Sequence, residues 1–102
     1  MRVSARLERA AAHDQRRYAR QAVNISAGLG APNRGSSPVI VVDLSTHGCG
    51  IELDSHLTAG ARVWIALPGL ETWAARVAWA QDGRAGLSFD RPMHQGVVDR
   101  YR

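Results

Sequence analysis

From Gln21 onward the chain is a series of short strand-like runs, each closed by glycine, proline or Asx residues. That punctuation leaves little besides an antiparallel sheet for it to form. Gln21–Ala27 alternates, with Ala22, Asn24 and Ser26 opposed to Val23, Ile25 and Ala27. Gly28–Ser37 carries three glycines, a proline and an Asn-Arg-Gly, and is expected to be a loop. Val39–Leu44 is a nearly continuous apolar run, turned back on itself by Ser45–Gly48. Cys49–Leu53 alternates again, with Cys49, Ile51 and Leu53 on one face. Arg62–Leu67 ends at Pro68-Gly69, and Glu71–Ala80 places Trp73, Ala75, Val77 and Trp79 on one face by simple alternation. Asp82-Gly83 is a two-residue hairpin signal leading into Arg84–Phe89. Asp90 reads as an N-cap and Pro92 as a first-turn residue, which predicts a short helix over Met93–Tyr101. No helical pattern separates successive strands, so a parallel α/β arrangement is disfavoured. The expected architecture is all-β, a barrel or sandwich of short antiparallel strands with a C-terminal helix.

Length and charge narrow the reading further. A chain of 102 residues is one domain. Its single cysteine, Cys49, rules out a disulfide framework within the chain and suits a reducing compartment. The N-terminus lacks the apolar core of a secretory signal. No apolar run approaches the ~18 residues that span a bilayer. The expectation is a cytoplasmic protein with no membrane insertion. All 13 basic residues are arginine. Six of them lie within residues 1–20 against Glu8 and Asp14, so that segment carries +4, while residues 21–102 hold seven arginines and seven acids and sum to zero. The net charge therefore sits at one end, as a basic N-terminal arm or weak helix over residues 1–14 preceding a domain at 15–102. A local excess of guanidinium groups points to an anionic partner. The planar fork of arginine suits phosphate and guanine edges.

Two short motifs stand at the junction of arm and sheet. Arg16-Arg17-Tyr18-Ala19-Arg20 is an RxxxR, and Asp43-Leu44-Ser45-Thr46-His47-Gly48 is a DxSxxG. Taken singly, the first is an ordinary solvated face and the second an ordinary Asx or Ser turn at the end of a strand. In this order and ahead of four further strands, they resemble the PilZ family. Arg76-Val77-Ala78-Trp79 and Ala85-Gly86-Leu87-Ser88-Phe89 also look like later strands of that family. The resemblance runs from Gln15 to about Tyr101. It implies a six-stranded antiparallel β-barrel with a short C-terminal helix, and binding of the bacterial second messenger cyclic di-GMP as a ligand, with no cofactor.

The ligand's chemistry fits the residues. Guanine offers N7 and O6 as paired acceptors to an arginine fork. Its opposite edge offers N–H donors that need an acceptor such as the Asp43 carboxylate. Arg16 and Arg20 are expected to divide phosphate and guanine contacts, with Arg17 as an extra cation. Ser45 is a candidate hydrogen-bond partner, and Gly48 permits a tight turn or close approach of the ligand. Trp79 is a candidate stacking partner for a guanine; its alternative is a core position beside Val77. Gln15 stands where some relatives that bind two stacked ligands carry a further arginine, which favours one ligand molecule.

The function expected is a non-enzymatic sensor or adaptor that signals to a downstream protein. The alternatives are a PilZ-like protein-interaction adaptor without ligand, and a small basic β-barrel that binds single-stranded nucleic acid. The last is disfavoured because residues 21–102 are neutral and aromatics are few. Asp43, Ser45 and His47 share the letters of a hydrolase triad. On an extended strand, however, successive members would lie about 7 Å apart, too far for a nucleophile and its base. The four histidines show no metal-ligand spacing, and Cys49 has no second cysteine.

Overall fold

The computed structural model describes residues 19–102. They form β1 (Gln21–Ala31), β2 (Arg34–Leu44), β3 (Gly48–Glu52), β4 (Arg62–Ala66), β5 (Trp73–Gln81), β6 (Arg84–Phe89) and a short helix α1 (Gln95–Asp99). All strand pairs are antiparallel, and they close into a barrel in the order β1-β2-β3-β6-β5-β4. The barrel and C-terminal helix anticipated from the motifs are present.

One strand-by-strand expectation fails. Residues 28–37, read as a loop, form the far end of a long β1–β2 hairpin, with Gly28 opposite Pro38, Leu29 opposite Ser37 and Ala31 opposite Arg34. The chain reverses at Pro32-Asn33, where Asn33 takes φ 61°. Proline followed by a left-handed Asn is the dihedral sequence of a type II turn. Barrel closure explains why so glycine-rich a stretch stays extended. β4 pairs with β1 only at Gly28–Gly30, through Ala66, Ile65 and Trp64. The supposed loop is therefore the seam that shuts the barrel.

The interior is a single cluster to which every strand contributes, with Val41, Leu44, Val63, Ile65, Ala75 and Ala85 fully shielded from water. Met93 and Val98 join the same core from the C-terminal segment. The helix is shorter than the expected Met93–Tyr101. His94, not Asp90, is its N-cap, with its ring Nδ1 accepting from Gly96 N at 2.9 Å. Pro92 disfavours a helical residue before it, and Met93 N donates to Thr46 O at 2.7 Å. Asp90 instead pairs with Arg62 at 3.0 Å.

Candidate functional site

The DxSxxG segment closes the β2–β3 turn. Ser45 is 4 % exposed. Its Oγ accepts from His47 N and Gly48 N, both at 3.2 Å, and is 3.3 Å from Gly48 O as a donor, while Ser45 N donates to Gly48 O at 2.9 Å. The hydroxyl thus supplies the partners that a tight turn leaves its amides without. Gly48 is buried, and a Cβ there would collide with the backbone carbonyl of Leu87 on β6. Its lack of a side chain lets β3 and β6 approach one another. The other side of the turn faces the C-terminal segment: Phe89 N donates to His47 O at 2.9 Å, beside the Met93–Thr46 bond. Asp43, Ser45 and His47 do not form a triad. The Ser45 hydroxyl is spent on backbone, Asp43 bonds Arg20, and Thr46 Oγ1 lies 2.8 Å from His47 Nδ1.

Asp43 faces outward because β2 contains a bulge. Val39 and Val41 point into the barrel, and strict alternation would carry Asp43 in after them. The pairing with β3 steps from Val41–Ile51 to Asp43–Gly50, so Val42 is an extra residue. Asp43 therefore turns out and Leu44 turns in, as bulges re-aim the side chains that follow them. The Asp43 carboxylate accepts from Gly50 N at 2.9 Å and forms an ion pair with Arg20, both through Oδ1. It lies where a Cβ on Gly50 would be. Oδ2 has no hydrogen-bond partner among the described residues.

A second bulge acts on Trp79. Alternation predicts it in the core beside Val77, and that expectation is overturned. The β5–β6 register steps from Val77–Leu87 to Trp79–Gly86, so Ala78 is the extra residue. Trp79 then lies outside, where its indole covers Gly86 closely enough that any Cβ there would collide with it. Ala80, next along the strand, packs on the core instead.

The two bulges bring four residues into one transverse row on the outer face, Asp43–Gly50–Gly86–Trp79, each the register partner of the next across β2, β3, β6 and β5. Two glycines form the floor, an Arg20–Asp43 pair stands at one end and a half-exposed indole at the other. Gly50 and Gly86 were not singled out from the sequence. Glycine inside a strand pattern, which marks close approach by another group, was the available signal. Of the candidate residues, Arg20, Asp43 and Trp79 lie along this row, and Ser45 and Gly48 build the adjoining turn. Arg16 and Arg17 lie outside the described residues. Cys49, one residue before Gly50, points into the barrel; burial, with a smaller contribution from the Asp43 charge and some relief from Arg20, pushes its thiol up to about 12. Among the described residues no group of His, Cys, Asp and Glu is placed to hold a metal ion, and no helix is long and apolar enough to cross a membrane.

Comparison with known proteins agrees with this fold. The sequence matches the model of the PilZ domain family over residues 14–100. The crystal structure of the PilZ domain of CeSA from a cellulose-synthesizing bacterium is similar in fold, with a TM-score of 0.60 at 21% identity over 70% of this chain and 79% of that one. A search of curated proteins found no match.

Proposed function

Because the chain belongs to the PilZ domain family, whose members are generally receptors for cyclic di-GMP and not catalysts, we propose that it binds cyclic di-GMP on the outer face at the Asp43–Trp79 row. The observation that carries this reading is the row itself: two bulges spend residues to bring an acceptor and an aromatic ring out of the core, over a floor of two glycines. The exposed face of the Trp79 indole stacks on a guanine, a contact worth about 1–3 kcal/mol. Asp43 Oδ2 accepts from the guanine N–H edge. Arg20, already steadied by Asp43, turns its remaining donors to N7 and O6 or to a phosphate, and Arg16 takes the other role, with Arg17 as an additional cation. Ser45 and Gly48 hold the turn that sets Asp43 in place; a direct bond from Ser45 to ligand requires it to release an amide. One ligand molecule per chain fits the glutamine at position 15. The domain acts as a bacterial cytoplasmic sensor that passes occupancy to a downstream protein.

Titration calorimetry tests the reading. Arg20→Ala and Trp79→Ala should each weaken cyclic di-GMP binding by roughly 1.5–3 kcal/mol, about ten- to a hundredfold, with the barrel still folded. Cyclic di-AMP should bind far more weakly than cyclic di-GMP, since adenine presents an acceptor where guanine presents a donor to Asp43. Equal affinity for the two dinucleotides would remove Asp43 from base recognition. No binding of cyclic di-GMP to the wild-type chain would leave the ligand-free adaptor, and tighter binding to an oligonucleotide would favour the nucleic-acid reading.

A further inference from the structure

A second feature lies beside the row, on the same face of the barrel. A groove of about 560 Å³ opens where β2 runs on past the end of β3, next to the β5–β6 turn. Ile40 and Leu53 give it an apolar lining, and Asp54, Asp82, Glu52 and Arg84 supply its charge. Glu52 is paired with Arg84 at 3.1 Å, whereas Asp54 and Asp82 have no ion-pair or hydrogen-bond partner among the described residues. Two carboxylates with unspent charge thus border an apolar lining. The preceding strand leaves part of its edge open as well: β2 pairs with β3 only from Ile40 onward.

The charge that complements this groove is in the same chain. Residues 21–102 are neutral, and the +4 excess belongs to residues 1–20. Within that segment Arg2, Arg6 and Arg9 recur at helical spacing, and Val3, Leu7 and Ala10 recur at the same spacing one position on, so a basic stripe adjoins an apolar one. The connection is short enough. Arg20 is tied to Asp43, and Ile40 lies three residues from Asp43 along β2, about 10 Å at strand rise. Leu7 is thirteen residues before Arg20, a length that spans about 20 Å even if wholly helical. A segment tethered this closely meets the groove at an effective concentration on the order of millimolar, so modest contacts suffice.

We propose that the groove docks the chain's own N-terminal segment, residues 1–12, with Arg2, Arg6 and Arg9 against Asp54 and Asp82 and with Leu7 on Ile40. The docking needs no second messenger, so it stands or falls separately from the ligand reading. It also gives the surplus arginines upstream of the RxxxR motif a task that phosphate recognition does not require of them.

Backbone NMR on the full chain without ligand is the test, using two variants that only neutralise charge, Arg2→Gln/Arg6→Gln/Arg9→Gln and Asp54→Asn/Asp82→Asn. Asparagine tolerates the left-handed φ of 51° at position 82, so the second variant keeps its turn. The arginine variant should move the amide resonances of Ile40, Leu53 and Gly83 while those of residues 62–66 stay in place. The aspartate variant should speed amide exchange across residues 2–9 by roughly tenfold. Raising the salt from about 0.05 M to about 0.5 M should reproduce both effects in the wild type, because a shorter Debye length screens the pairs. Groove resonances that ignore the arginine variant, or exchange in residues 2–9 that ignores the aspartate variant, would overturn the proposal. So would shifts that grow with protein concentration, which would assign the groove to the arm of a second copy.

Discussion

Cys49 shows how a residue behind the site reports on the fold as a whole. Its thiol is buried and its pKa is raised to about 12 from an ordinary 9.0. The unfolded chain releases that proton first, so between those two values the native state binds more protons than the unfolded one. Stability contributed by the neutral thiol is complete below pH 9 and falls as pH rises, by about 1.4 kcal/mol per unit. Urea denaturation at pH 8 and pH 10 should show the wild type losing roughly that much more than Cys49→Ala. Equal losses would mean that the thiolate is tolerated inside the barrel. The same burial makes the native thiol inert toward alkylating reagents until the barrel opens.

The relation between β5 and β6 depends on Gly86, which the Trp79 indole covers. Gly86→Ala must displace the ring. Denaturation should register a loss of about 1–3 kcal/mol, as for other overpacked sites. Affinity for cyclic di-GMP should fall with it. Placed in a Trp79→Ala background, the same substitution should cost much less, and an equal cost in both backgrounds would separate the glycine from the ring. The strands themselves were readable: Cys49–Leu53 and Arg84–Phe89 follow clean alternation, and the Asp82-Gly83 turn has φ of 51° and 79°, as its sequence calls for. What sequence could not supply came from partners distant in the chain. Glycine and serine in residues 28–37 favour a loop locally, but β4 pairs there and holds them extended. The core placement that alternation gives Trp79 fails for a related reason. A bulge is one residue of mismatch between two strands, and neither strand alone records it. The motif singles out Asp43, by contrast, as a candidate, although Val39–Leu44 reads as a nearly continuous apolar run with no hint of which way the aspartate turns.

The described residues share one core, to which the C-terminal helix belongs. Val98 is fully buried in it, and Tyr101 donates its hydroxyl to Pro68 O at 2.6 Å across the sequence. Val98→Ala should therefore cost about 2 kcal/mol and lower the midpoint of a single unfolding transition seen alike by far-UV circular dichroism and tryptophan fluorescence. Two separate transitions would show that the helix is an appendage. Closure has a further effect on the two bulges. In an open sheet a strand with one surplus residue can slide outward and shed the mismatch at its free end. A ring of strands has no such exit, so Val42 and Ala78 behave like dislocations pinned in a closed lattice. Deleting either residue would restore regular pairing and leave the facing of its neighbours unchanged. Forcing the register straight with the residue retained would instead reverse the parity of everything up to the next turn, sending Trp79 inward and Ala80 outward, or carrying Asp43 into the barrel with Arg20 left behind. An alignment of such chains that sets its gap several residues away from these points would exchange surface for interior at every position in between.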